Sequence, residues 1–352
     1  MLSMRLKGAA GAPTPPPSAA QYLAVATGSS PFVSAYPWNS ATGFGVKYAD
    51  PATLPTGSGL AIAFSPSGDA VAAAHFTSPN ITAYPWSVSG FGTKYADPAT
   101  AIPSTGRGVA FSPSGDAVAV AHSTTPFVSA YPWNSATGFG AKYANPATLP
   151  TGQGNGVAFS PSGGAVAVSH TSSPYITAYP WSVSGFGTKY TNPTALPTFS
   201  ASGVAFSPTG DSIAVAHSAS PRVSAYPWND ITGFGVRYAN PATLPPSTAF
   251  GVAFSPTGDS IAVAHQSFPY VTAYPWSVVG YGTKYTNPAT TPPATAVSVA
   301  FSKTGDAIAV GHSNTPFISA YPWNSATGFG VKYADPATLP ALSCNGVSFT
   351  QV

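Results

Sequence analysis

The tripeptide Tyr-Pro-Trp is written seven times in this chain, as Tyr36-Pro37-Trp38, Tyr84-Pro85-Trp86, Tyr131-Pro132-Trp133, Tyr179-Pro180-Trp181, Tyr226-Pro227-Trp228, Tyr274-Pro275-Trp276 and Tyr321-Pro322-Trp323. Successive copies lie alternately 48 and 47 residues apart and use all 7 tryptophans. A period of that length, filled by short extended segments, marks a solenoid, propeller or array whose units bury their apolar faces only against one another. The repeat runs from about Gln21 to the end of the 352 residues, so one closed body over 21–352 is expected, preceded by a Pro/Ala/Gly-rich arm at 1–20.

One unit shows the grammar. Gly108-Val109-Ala110-Phe111-Ser112 reads as a short strand, and Pro113-Ser114-Gly115-Asp116 as a turn with proline where φ is fixed and glycine where it turns positive. Ala117 to His122 alternates Ala and Val with the period-two pattern of a second strand. Phe127 to Trp133 is a third, with its proline placed at the strand end so that no ladder bond is lost, and Gly138 to Tyr143 a fourth. Four strands in each of seven units predict an all-β fold, a seven-bladed β-propeller of four-stranded antiparallel blades. Val118 and Val120 point to one side of a blade and Ala117, Ala119 and Ala121 to the other, so large faces should meet small ones between blades.

The two ends complete the count. Gln21 to Thr27 matches a second strand, so the first unit lacks its innermost strand, and Gly346 to Thr350 matches the missing piece. The C-terminal strand, with Val347 and Phe349, is therefore expected to complete blade one and close the ring, removing two open sheet edges.

Units such as GVAFSPSGDAVAVAHSTTPFVSAYPW resemble the WD40-like propeller repeat in the inner strand and its SPSGD or SPTGD turn, over about 330 residues. The Trp-Asp pair of that family is replaced by Tyr-Pro-Trp, and its Gly-His pair is missing, so its hydrogen-bond network is not carried over. The near-identical units and the absence of glutamate also resemble propeller proteins encoded by bacteriophages. That resemblance implies a virion part.

The candidate residues for chemistry repeat as regularly as the scaffold. His75, His122, His170, His217, His265 and His312 share one position at the end of the second strand, with Thr27 in its place in unit one. Equivalent positions in different blades lie too far apart for a metal ion, and a local hydrogen bond within the blade is expected instead. Asp116 and His122 bound the second strand and stand about 20 Å apart, which excludes a triad with Ser112. The aspartates therefore read as turn residues, although Gly164 stands in for one of them. Lys47, Lys94, Lys142, Lys189, Arg237, Lys284 and Lys332 fall on the outer strand as edge guards or as a belt for an acidic partner.

The copies differ at the residue opening the third strand: Phe32, Asn80, Phe127, Tyr175, Arg222, Tyr270 and Phe317. They also differ in the loops entering the inner strands, as in Gly152-Gln153-Gly154-Asn155, Phe199-Ser200-Ala201 and Phe250. Both sets open on one face, which becomes the candidate binding face.

With charged residues at 6% of the chain, against about 25% in a typical soluble domain, and a net charge of +3, no clustered basic surface for nucleic acid is expected. A single cysteine, Cys344, excludes an internal disulfide, and neither a signal peptide nor a membrane-spanning run is read. The singular polar residues Arg107, Arg222, Asp230, Lys303 and Cys344 look dispersed. The reading is therefore a soluble, non-catalytic structural or interaction protein without metal or cofactor. It is expected to be a virion component of the tail, adsorption or capsid-surface kind, contacting other virion subunits through the ring or its arm. The alternative is a multivalent lectin for cell-surface glycan, with sites formed by the repeated Tyr-Pro-Trp aromatics.

Overall fold

A computed structural model describes residues 20–351. The arm expected at 1–20 lies, but for Ala20, outside the described residues. The described chain contains no helix and forms seven four-stranded antiparallel sheets arranged as the blades of a ring. Blade three is typical, with an inner strand Gly106–Phe111, a second strand Ala117–His122, a third Val128–Asn134 and an outer pair Gly138–Phe139. Blade one is built from both ends of the chain. Its inner strand, Cys344–Gln351, pairs antiparallel with Gln21–Thr27, setting Leu23 opposite Phe349 and Val25 opposite Val347.

Adjacent blades meet large face to small face as the alternation requires. Ala70, Ala72 and Ala74 of blade two pack with Val118 and Val120 of blade three, and Ala117, Ala119 and Ala121 of blade three pack in turn with Val166 and Val168 of blade four. Every residue of these second strands is buried. Pairing the small face of one blade with the larger face of the next fills the interblade space, and the same match recurs with Ile213 and Val215 against Ala165 and Ala167 and with Ile261 and Val263 against Ala214 and Ala216.

The third and outer strands differ from the sequence reading. Pro132 lies inside the third strand rather than at its end. Trp133 N–H reaches inward to Asp116 O, whereas the carbonyls of Ala130 and Pro132 face outward and accept from Tyr143 and Gly140. The proline nitrogen therefore faces the outer edge, and the inner ladder keeps every donor. The missing N–H falls on the outer ladder, so the predicted six-residue fourth strand shortens to Gly138–Phe139 and continues as a loosely bonded edge segment.

Each tryptophan is the rivet of a joint. Trp133 meets Phe139 of its own outer strand, Phe111 of its own inner strand and Tyr95 of the preceding blade, with centroids 5.0–5.1 Å apart and rings at 77–82°. Trp38 makes the same three contacts at the closing joint, with Phe44, Phe349 and Tyr333. The tyrosine of each Tyr-Pro-Trp is buried and donates its hydroxyl to a carbonyl in the connection from the preceding blade. Tyr131 donates to Thr100 O at 2.8 Å and Tyr36 to Thr338 O at 2.9 Å. Val347 and Phe349 are buried at this seam, beside Leu23 and Trp38.

Two singular residues repair joints. Blade four carries Gly164 where its neighbours have an aspartate that binds the hydroxyls of its turn, as Asp116 Oδ1 binds Ser112 at 2.7 Å. Asp230 of blade five enters that gap from the other side. Its Oδ2 accepts from Ser162 and from Ser160 at 3.2 Å, while Oδ1 accepts from Trp228 Nε1 at 2.6 Å. A Cβ added to Gly164 would stand 2.8 Å from Asp230 Oδ2. Similarly, Cys344 replaces the glycine or alanine that begins every other inner strand. Gly311 of blade seven gives up the methyl group that would stand 2.7 Å from its Sγ.

Asp230→Ser should therefore destabilise the ring by about 1–3 kcal/mol, because two hydroxyls and an indole N–H lose their acceptor. Gly164→Asp alone should also destabilise it by crowding two carboxylates, whereas the double variant regains most of the loss. Denaturant midpoints that change additively would refute the exchange. At Tyr281, which takes the place of a phenylalanine, the hydroxyl is buried and has no partner among the described residues. Tyr281→Phe should raise stability by about 1 kcal/mol, and a lowered melting temperature would show that the hydroxyl is bonded after all.

Candidate ligand site in the central channel

The inner strands line the axis of the ring, and each begins with a β-bulge. In blade three Gly106 pairs with His122 and Gly108 with Ala121, so Arg107 has no partner across the ladder. The same skip leaves out Leu60, Asn155, Ser202, Phe250, Val297 and Asn345. A bulge redirects the side chain of its extra residue, here into the channel. These seven residues are half-buried and line one cavity of about 470 Å³. Just beyond them Gly108, Gly156, Gly203, Gly251 and Gly346 let neighbouring strands touch backbone to backbone. A Cβ on Gly108 would sit 2.9 Å from Gly156 Cα. Ile62, Val109, Val157, Val204, Val252, Val299 and Val347 follow as an apolar ring.

The mouth is two-sided. Arg107, Asn155 and Ser202 come from consecutive blades and form a polar arc, and the ring order places Phe250 and Val297 across the channel from Arg107. Arg107 is the one charged side chain among the lining residues. Its Nε donates to Ser123 Oγ at 2.9 Å, and its Nη atoms bond to no described residue. Burial pulls its pKa below the ordinary arginine value, but a guanidinium stays charged. Asn155 is fixed from both ends, donating to Ala201 O at 2.8 Å and accepting from Gln153 Nε2 at 3.0 Å. Asn345 donates to Gly59 O at 2.8 Å and keeps its Oδ1 free of described partners.

The seven residues expected to open the third strand sit just before it, with φ between 67° and 75°. In this left-handed conformation the carbonyl of each accepts from the N–H of the residue that ends the second strand, a histidine in six blades and Thr27 in blade one, as Asn80 O accepts from His75 N at 3.1 Å. Asn80 is buried, with Nδ2 on Phe76 O, and Arg222 donates Nη1 to Ser218 O. Phe32, Phe127, Tyr175, Tyr270 and Phe317 are half-buried. None of the seven lines the channel cavity. Asn155 and Phe250 were legible as variable residues. Leu60, Arg107, Ser202, Val297 and Asn345 were missed, although aligning the copies shows six residue types in seven at this one inner-strand column.

Each histidine is fully buried, with Nε2 2.7–3.0 Å from a Ser or Thr hydroxyl of the third strand, from His75 with Thr82 to His312 with Ser319. Blade one has Thr27 there, and Ser34 Oγ is left buried without a described partner. Asp116 is held below the ordinary carboxylate range by the hydroxyls of Ser114 and Ser112, as a turn residue would be. Lys47, Lys94 and Lys332 pair with the aspartates three residues on, while Lys142, Lys189 and Lys284 bond to asparagines at the same spacing.

No protein-family model and no curated protein matches the sequence. Solved structures do match its shape. A candidate 6-phosphogluconolactonase from Bacteroides fragilis superposes with a TM-score of 0.76 at 13% identity, covering 97% of this chain and 100% of the other. A protein from Lactobacillus plantarum gives 0.75 at 15%, covering 94% and 100%. The periplasmic gluconolactonase of Pseudomonas aeruginosa gives 0.69 at 14%, covering 94% and 99%. At these identities the likeness is one of fold.

The likeness nevertheless corrects the functional expectation. The reading of a non-catalytic virion component took the closed ring as a sign of pure architecture, yet the same ring carries proteins named as lactonases, and the lectin alternative placed its sugar sites on Tyr131, Trp133 and their repeats, which are buried in the joints. The WD40-like and phage kinships find no counterpart in these matches, and virion localisation loses its support. No described helix is long and apolar enough to cross a membrane.

Burial pushes His122, His170, His217, His265 and His312 down to about 4, and lowers His75 as well. A histidine held neutral in the fold gives stability that is whole above its unfolded value near 6.5 and is lost as pH falls toward 4. Each of the five held near 4 contributes about 1.4 kcal/mol per pH unit across that window, and His75 acts in the same direction. The melting temperature should therefore fall steeply from pH 6.5 to 4.5, and His122→Gln with His170→Gln should flatten the slope by about a third. A melting temperature unchanged across the window would show that the rings take up protons as readily in the fold as in the unfolded chain.

Proposed function

We propose that the channel mouth binds the lactone of a sugar acid and hydrolyses it. The observation that carries this reading is Arg107, a lone guanidinium with a free Nη edge, set in a half-buried cavity of about 470 Å³ opposite an aromatic ring. That volume suits a hexose-sized ligand, and cavities of this kind combine apolar walls with a few placed polar groups. The likeness in fold to a candidate 6-phosphogluconolactonase and to a periplasmic gluconolactonase supports it, since both names belong to rings of this shape. The WD40-like cast of the inner strand and its turn belongs, on this reading, to the scaffold.

The reaction adds water to the lactone carbonyl and expels the ring oxygen as a hydroxyl group, giving the open-chain acid. Negative charge develops on the carbonyl oxygen. The Nη groups of Arg107 are the donors for it, prealigned by Ser123, and Phe250 offers a face for the C–H side of the sugar. No carboxylate or histidine is among the described residues that line the cavity, so on this reading the attacking hydroxide comes from solvent.

Hydrolysis of glucono-δ-lactone and of its 6-phosphate, followed by acid release above the spontaneous rate, tests the reading. The wild-type rate constant should rise with pH from 6 to 8 without a bell-shaped optimum, and Arg107→Gln should lower kcat by about 10²-fold. Background rates with both lactones would sink it.

A further inference from the structure

We infer that the mouth is built for unphosphorylated sugar acids and their lactones and excludes the phosphorylated ones, an inference that rests on the lactone reading above. Charge matching inside a half-apolar cavity sets this preference. A phosphomonoester brings close to two negative charges at neutral pH, whereas a carboxylate or a lactone oxyanion brings one. Arg107 is the one charged side chain among the lining residues. The other arginine on this face, Arg222, spends Nη1 on Ser218 O and does not line the cavity. Phosphate sites are commonly made from helix N-termini, and the described chain has no helix.

Geometry points the same way. Because Ser123 holds Nε, the edge of Arg107 left for a ligand is its pair of Nη atoms, a fork that fits two oxygens of a carboxylate or a phosphate alike, so the choice between them falls to charge and to the neighbouring groups. The polar groups beside it suit hydroxyls rather than a second anion, since Asn345 presents a free Oδ1 acceptor and Ser202 a free hydroxyl. Leu60, Phe250 and Val297 make up the remaining wall at this level. The phosphate of a phosphorylated lactone there would leave about one charge uncompensated against hydrocarbon, and that of 6-phosphogluconate, with its carboxylate as well, about two, a cost that the monoanion gluconate avoids.

Titration calorimetry of the full chain with gluconate, 6-phosphogluconate and, as a neutral control, glucose tests this without depending on turnover. Gluconate should bind at least tenfold tighter than 6-phosphogluconate, and Arg107→Gln should reduce its affinity to that of glucose. Arg107→Lys, which keeps the charge and loses the fork, should fall between the two and covers the case in which the glutamine variant fails to fold. Val297→Lys, which adds a second cation to the mouth, should shift preference toward 6-phosphogluconate. Wild-type chain that binds 6-phosphogluconate as tightly as gluconate, or better, overturns the inference and leaves the lactone reading standing. If neither acid binds and both lactones hydrolyse at background rates, the lactone reading falls and takes the inference with it.

Discussion

Every joint of the ring turns on the same contact, an indole caught edge-to-face by three other rings. Each tryptophan touches the inner strand and the outer strand of its own blade and the outer segment of the blade before it, so one side chain fixes blade width and blade angle together. Such pairs contribute roughly 0.5–1.5 kcal/mol each beyond the area they bury. Their larger consequence is geometric. Seven wedges close a circle only if each subtends the same angle, and a repeated aromatic box is a direct way to repeat an angle. The buried tyrosine two residues earlier adds a hydroxyl bond to the preceding connection, so the tripeptide that sets the period also sets the joint.

This dependence explains why so much of the fold could be read from residues. The period, the second strand and the completion of blade one by Cys344–Gln351 all follow from side chains repeated in register. What resisted reading were features governed by single backbone groups. The outer strand is short because Pro132 turns its missing N–H outward, and a proline's direction within a strand is fixed by ladder register rather than by composition. The left-handed turn before the third strand hides in a column of Phe, Tyr, Asn and Arg, residues that do not announce positive φ as glycine would.

The bulge was harder still. A period-two reading assumes that no residue is skipped, and one unpaired residue moves a side chain from the interblade face to the channel. Arg107 therefore looked like one of several dispersed polar residues when it stands alone at the axis. Asp230 and Cys344 looked equally stray, yet each completes a joint that its neighbour leaves short, at Gly164 and Gly311. The virion reading failed for a related reason. Low charge and uniform repeats report how the blades pack, and packing says little about what the remaining column of residues can bind.

That column is where individuality is cheapest. A change at Trp133, Tyr131 or Val118 alters a wedge and strains a closed circle, whereas a bulge residue has no ladder partner and faces the axis, so its side chain can vary without shifting a blade. Six residue types in seven copies at this position, beside columns that barely change, fit that freedom. Freedom alone would not place a cation there. A half-buried guanidinium with an unbonded Nη edge and apolar residues across the channel is a net cost to a torus that only has to stand. Serine, asparagine or valine occupies the same position elsewhere in the ring without that cost, so the balance at Arg107 favours a ligand that supplies the missing negative charge.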